Sequence, residues 1–168
     1  MSIFYPTIMV RRVMDITAKM LSDMSVSALI LDLDNTLTTH NNPRPDPAVL
    51  MWLAKMREAD IKLIILSNNT RERVLPFAKE LRLSFVAVGL KPLPFGYARA
   101  VTALEVPKHN AAVVGDQLFT DILGARLYGI KSILVEPFEP ESSSFFRFKR
   151  KLEAVILKRY KRKMEAKS

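Results

Sequence analysis

The stretch "LILDLDNTLTTHNN", Leu29 to Asn42, decides the fold. Ala28 to Leu31 are all apolar, as in a buried strand, and Asp32, Asp34 and Thr36 follow at alternate positions. In an extended chain that spacing puts the three polar side chains on one side. Two carboxylates at the end of a buried strand are costly unless charge or hydrogen bonds compensate them. The surrounding sequence must supply the compensation.

Working outward, short β-branched runs alternate with amphipathic stretches. Strands are predicted at Ala28–Asp32, Ile61–Ser67, Phe85–Val88, Ala111–Gly115 and Lys131–Val135. "ALILD", "IKLIILS" and "AAVVG" are almost continuously apolar, as parallel strands covered on both faces are. Helices are predicted at Pro47–Ala59, Arg71–Leu83, Pro94–Leu104 and Thr120–Leu127. Asp46 can cap the first of these, with Pro47 in its first turn. Such alternation predicts an α/β fold, a doubly wound, mainly parallel sheet of about five strands. Residues 1–26 read as an irregular or partly helical lead-in, 27–140 as the core, and 141–168 as a basic C-terminal helix. That helix has Phe145, Phe148, Leu152, Val155, Ile156 and Tyr160 at roughly helical spacing. Trp52 shares a helical face with Val49, Leu53 and Met56 and reads as core. His40 reads as a solvated loop residue.

The 168-residue chain has no cysteine, which excludes disulfides, zinc–thiolate sites and thiol catalysis and agrees with a reducing, cytoplasmic setting. No apolar run is long enough to span a bilayer, and the N-terminus does not read as a secretory signal. The net charge is +9, but the segment from Arg147 onward holds ten Lys or Arg against two Glu. The rest is about neutral. A basic terminal helix is a local adhesive patch, whereas nucleic-acid binding would call for a basic body. The tail reads either as an amphipathic contact for an anionic membrane surface or as a helix packed on the core.

In an open parallel sheet, ligands bind at the carboxyl ends of the strands. The first predicted strand ends in Asp32, Asp34 and Thr36, and the second in Ser67, Asn68 and Asn69. Lys91 follows the third. Gly115 and Asp116 end the fourth, with Asp121 five residues on. Each group alone is ordinary turn or cap chemistry. Together, in order, they make one crevice. Clustered carboxylates with main-chain oxygens form a hard-cation site suited to Mg²⁺. A lysine and a serine hydroxyl beside it suit a phosphate. An aspartate at the cation can attack phosphorus to give an aspartyl-phosphate, and a second aspartate two residues along can act as acid and then base.

These residues resemble the four motifs of the haloacid dehalogenase (HAD) superfamily of phosphatases. "DLDNT" resembles its DxDxT motif, "ILSNN" the second, Lys91 the third and "VVGDQLFTD" the fourth, over about Ala28 to Val135. Within the superfamily, "DLDNTL", "SNN", "KP" and "GDQLFTDILG" with a basic tail resemble the YqeG-type subgroup (subclass IIIA), similar to mitochondrial phosphatidylglycerophosphatases. The resemblance implies a HAD-like Rossmannoid fold. It implies Asp32 as nucleophile and metal ligand, and Asp34 as acid/base with its main-chain carbonyl on the metal. Thr36 would support the loop, Ser67 and Asn68 would hold the phosphoryl group, and Lys91 would neutralise it. Asp116 would bind Mg²⁺, with Asp121 one step behind it.

Thirty residues separate Thr36 from Ser67, and 23 separate Ser67 from Lys91. Neither interval has room for a specificity cap, so an open, capless site is expected. That favours a large substrate or a headgroup at a membrane surface; the subgroup resemblance, with the basic tail beside it, implies phosphatidylglycerophosphate or a similar anionic phospholipid. The alternatives are a capless phosphatase for a soluble sugar phosphate, nucleotide or phosphoprotein, and a non-catalytic module on membrane or RNA. Intact Asp32 and Asp34 speak against the last. Self-association is left open.

Overall fold

A computed structural model describes residues 2–39, 44–139 and 143–166; His40 lies outside them. Six strands form one all-parallel sheet: β1 (Ile8–Met9), β2 (Ala28–Leu31), β3 (Lys62–Leu66), β4 (Ser84–Val86), β5 (Ala111–Gly115) and β6 (Lys131–Leu134), in the order β1-β6-β5-β2-β3-β4. The helices are α1 (Ala18–Asp23), α2 (Pro47–Glu58), α3 (Arg71–Leu81), α4 (Pro94–Leu104), α5 (Leu123–Tyr128) and α6 (Ser144–Glu165).

The alternating side chains of β2 divide the core. Leu29 and Leu31 face a cluster with Leu21 of α1, Trp52 and Leu53 of α2, and Val74 and Phe77 of α3. Ala28 and Ile30 face the opposite cluster, with Tyr97, Ala100 and Leu104 of α4 and Ala125 of α5. Both faces are covered, which is why these strands are apolar at every position. Trp52 is buried, and its indole N–H donates to the Ile16 carbonyl at 2.9 Å. Asp46 caps α2 by accepting from the Ala48 N–H at 2.8 Å.

The structure adds a sixth strand to the five expected. β1 pairs Ile8 with Ile133 and Met9 with Leu134; two residues are too few to show a period of two. β4 stops at Val86 because Val88 turns into the left-handed region, at φ 48°. The last core helix opens with a wide π-type turn at Leu118–Ile122 before α5 begins. Among the described residues, α2 and then α3 with β4 occupy the two intervals where a cap would sit. No described helix is long and apolar enough to cross a membrane.

α6 divides its apolar residues between two faces. Ile156 and Leu157 pack against Met9, Leu118, Ile122 and Leu134, and Tyr160 meets the Tyr5 ring edge-on at 5.2 Å. Phe145, Phe148, Leu152 and Val155 remain 69%, 62%, 46% and 54% exposed. Their spacing sets them along one outer stripe.

Candidate active site

Sequential strands run outward from β2 to β3 and β4, and then from β5 to β6 on its other side. The order therefore reverses between β2 and β5, where open parallel sheets leave a crevice. The first and fourth motifs meet there. A cleft of about 310 Å³ opens at this point, lined by Asp32, Asp34, Ser67, Asn68, Asn69, Lys91, Gln117, Thr120 and Lys149.

Asp32 continues the β2 ladder through its N–H to the Val114 carbonyl, at 2.9 Å. Its carboxylate accepts from Lys91 Nζ at 2.6 Å and from the Thr36 hydroxyl at 3.2 Å. Lys91 Nζ also donates to Asp121 Oδ1 at 2.7 Å. Asp121 reaches back along the wide turn and accepts from the Gln117 N–H at 3.2 Å. This return path explains Gly115. A Cβ there would lie 2.3 Å from the Asp121 carboxyl carbon, so only glycine lets the carboxylate lie against β5. Gly124 serves similarly: its Cβ would lie 2.2 Å from the Tyr97 hydroxyl, which donates to the Thr120 carbonyl at 2.8 Å.

Carboxylate oxygens of Asp32, Asp116 and Asp121 lie within 4.8 Å of one another. Asp116 is buried, and its Oδ1 has no hydrogen-bond partner. A hard-oxygen donor set with an unsatisfied buried carboxylate oxygen fits a divalent cation. Asp34 faces elsewhere. Its carboxylate accepts from Asn69 Nδ2 and from Arg73 Nη2, the latter at 3.0 Å. Its neighbour Asn35 sits in the left-handed region at φ 62°, which bends the chain as it leaves the strand. Ser67 is buried at the end of β3 beside the cleft. Asn68 spends its side-chain amide on the Lys91 main chain, accepting from its N–H at 2.7 Å and donating to its carbonyl at 3.1 Å. It therefore sets where Lys91 enters the cleft.

The electrostatics follow from burying these groups together. Burial pushes the Asp32 carboxyl up to about 7, with Asp121 and Asp34 adding to the rise and Lys91 opposing it. Burial, then Asp32, also raise Asp116 well above the usual carboxylate range, against the pull of Arg150. Burial alone would lower Lys91, but Asp121 and Asp32 outweigh it and hold the ammonium charged.

All eight residues singled out from the sequence sit at this strand edge, and sequence reasoning missed the wall opposite. Lys149 donates to Gln117 Oε1 at 2.6 Å. Arg150 donates to Asp116, to its carbonyl at 2.6 Å and also to Oδ2. Glu153 is buried and accepts from the Leu118 N–H at 2.9 Å. Of the partners of Asp34, Arg73 was also missed, and Asn69 was placed at the strand end but given no role. Nothing local marks Lys149 or Arg150 among the ten basic residues of the tail. Glu153 did offer a signal, as one of only two acids there.

Known proteins resemble this chain in sequence and in fold. The HAD-hydrolase-like family model matches residues 89–137, from the approach to Lys91 through β6. "Probable phosphatase YqeG" of Bacillus subtilis (strain 168) is 38% identical over 160 residues, covering 95% of this chain and 93% of that protein. The chain belongs to the YqeG-type family of HAD phosphatases. Its match to the YqeG protein covers the four motifs and most of α6. The "Phosphoserine phosphatase" of Thermus thermophilus is 32% identical over 114 residues, covering 60% of this chain and 46% of its own. In structure, an uncharacterized protein from Listeria monocytogenes serotype 4b superposes with a TM-score of 0.57 at 21% identity. That match covers 70% of this chain and 85% of the other, and it shows the shared fold. The chain is thus a phosphatase with a HAD-type sheet, and the crevice where the four motifs meet is its candidate active site.

Proposed function

We propose that this YqeG-type phosphatase is a Mg²⁺-dependent phosphomonoesterase working through an aspartyl-phosphate on Asp32, with the headgroup of an anionic phospholipid such as phosphatidylglycerophosphate as substrate. The observation that carries the reaction is Asp32 itself. It is buried among Asp116 and Asp121, with Lys91 Nζ 2.6 Å away. Its carboxylate attacks phosphorus, the bond to the leaving oxygen breaks, and Asp34 gives that oxygen a proton. Water then attacks the acyl phosphate, Asp34 takes the proton back, and phosphate leaves. Lys91 and Ser67 hold the phosphoryl oxygens. Asp32 and Asp116, with the Asp34 carbonyl and with Asp121 behind them, would hold the cation, and Mg²⁺ there would supply charge neutralisation for the phosphoryl group. To work on the leaving oxygen, the Asp34 side chain must release Arg73.

Three observations support the lipid. The cleft has no cap among the described residues. Leu90, Leu93 and Phe95, on the segment that carries Lys91, are exposed. The stripe from Phe145 to Val155 is exposed on the helix that brings Lys149 to the cleft. These apolar groups, with the basic charge of α6, suit peripheral contact with an anionic membrane. The Thermus relative favours the competing reading, a small soluble phosphate ester.

Phosphate release from phosphatidylglycerophosphate in mixed micelles, compared with phosphoserine, sugar phosphates, nucleotides and a phosphoprotein, separates the two. The expected result is a kcat/KM for the lipid at least 100-fold above any soluble ester, lost in EDTA and restored by Mg²⁺. A soluble ester ahead of the lipid would overturn the substrate, and no turnover of any of them would overturn the enzyme.

A further inference from the structure

α6 grips four successive residues of the loop that carries Asp116. Lys149 donates to Gln117 Oε1 at 2.6 Å. Arg150 donates through Nη1 to the Asp116 carbonyl at 2.6 Å, and through Nη2 to Asp116 Oδ2. Glu153 Oε1 accepts from the N–H groups of Leu118 at 2.9 Å and Phe119 at 3.4 Å. The same Glu153 holds Arg150 from behind, its Oε2 accepting from Nη1 at 3.0 Å. Glu153 and Asp116 are each 3% exposed, so these bonds form away from competing water.

The two oxygens of Asp116 are therefore in different situations. Oδ2 is held by a guanidinium, and Oδ1 is buried without a partner, in the cluster with Asp32 and Asp121. A guanidinium is a rigid fork. Bound to the side chain and the carbonyl of one residue, it fixes the rotation of that side chain.

We propose that Arg150, backed by Glu153, is a positioning residue for the cation site, locking Asp116 so that Oδ1 points at the place a divalent cation occupies. The proposal rests on the cation reading given above. It makes α6 a working wall of the phosphatase site. A charge effect would run the other way. A guanidinium near a cation repels it, so if charge alone mattered, removing Arg150 would strengthen binding. If geometry matters, removal weakens it, and lysine, which keeps the charge without the fork, does not restore it.

The test is the dissociation constant of Mn²⁺, read from the free-ion EPR signal, for wild type, Arg150→Met, Arg150→Lys and Asp116→Asn. The Mg²⁺ midpoint of activity and the KM for substrate are measured beside it. Positioning predicts Mn²⁺ affinity at least tenfold weaker in Arg150→Met and at least fivefold weaker in Arg150→Lys. The Mg²⁺ midpoint should move in step, with substrate KM within threefold. Should Arg150→Met fail to fold, Arg150→Lys carries the same comparison. Affinity unchanged or tighter in the folded variants, with Asp116→Asn weakened, overturns the positioning role alone. Wild type that binds no Mn²⁺ overturns the cation reading and the proposal with it.

Discussion

In the proposed mechanism Asp32 is both a buried acid and a nucleophile. Burial raises it to about 7 in the metal-free chain, so the native state holds a proton there that the unfolded chain has already released. The sign follows from linkage: a carboxyl raised on folding makes stability fall as pH rises between its ordinary value and about 7. A cation at Asp32 must displace that proton below about pH 7 and need not above it. Mg²⁺ should therefore raise the melting temperature more at pH 8 than at pH 5.5. Scanning calorimetry with and without Mg²⁺ checks this, and an equal shift at both pH values would place the cation away from Asp32. Asp32→Asn keeps the shape and would remove the proposed nucleophile, so turnover should fall by several orders of magnitude. Activity within tenfold of wild type would remove Asp32 from the role. Gly115→Ala should drive a methyl into the Asp121 carboxylate. The expected cost is about 1–3 kcal/mol in denaturant titration, with activity lost disproportionately because Asp121 and Lys91 share a salt bridge at 2.7 Å.

At the scale of elements, what was legible depended on whether a signal was local. β2, β3 and β5 could be read because strands covered on both faces are apolar throughout, and the motifs at Asp32, Ser67 and Asp116 because each follows such a strand directly; Lys91 lies five residues past the end of β4. α4 was read from its first to its last residue. β1 is too short to show a period. The wide turn at Leu118–Ile122 depends on Asp121 folding back against Gly115, a contact no pattern announces. α6 was readable as a basic amphipathic helix, but which of its cations faces inward is decided by packing. That packing changes what truncation can reveal. Deleting the chain after Ser144 removes Arg150 from Asp116 and Glu153 from the Leu118 N–H. Stripping a partner from a buried charge costs about 3–5 kcal/mol, so the truncated protein should melt roughly 10 °C lower in a thermal scan. A shift under 3 °C would mean that α6 contributes little to holding the core.

For the whole molecule, the open question is which surface meets the substrate's surroundings. The charge lies largely on α6, whose outer stripe of Phe145, Phe148, Leu152 and Val155 is exposed while its inner face holds the Asp116 loop. Membrane contact can therefore be tested without touching the fold. Replacing Phe148 and Leu152 with serine removes apolar area that is 62% and 46% exposed, so stability should fall by no more than about 1 kcal/mol. On a bilayer the exposed half of each side chain would contribute about 1 kcal/mol by burial, and each nearby Lys or Arg about 1 kcal/mol on an anionic surface. Co-sedimentation with vesicles containing phosphatidylglycerol should fall at least tenfold in the double variant. Wild-type binding should weaken as salt rises, because the charge contribution is screened. Turnover of lipid in those vesicles should fall in parallel, with hydrolysis of a small soluble ester unchanged. Equal vesicle binding by both proteins would remove the stripe as the contact. If wild type does not bind vesicles at all, the open cleft serves soluble esters and the apolar stripe needs another partner.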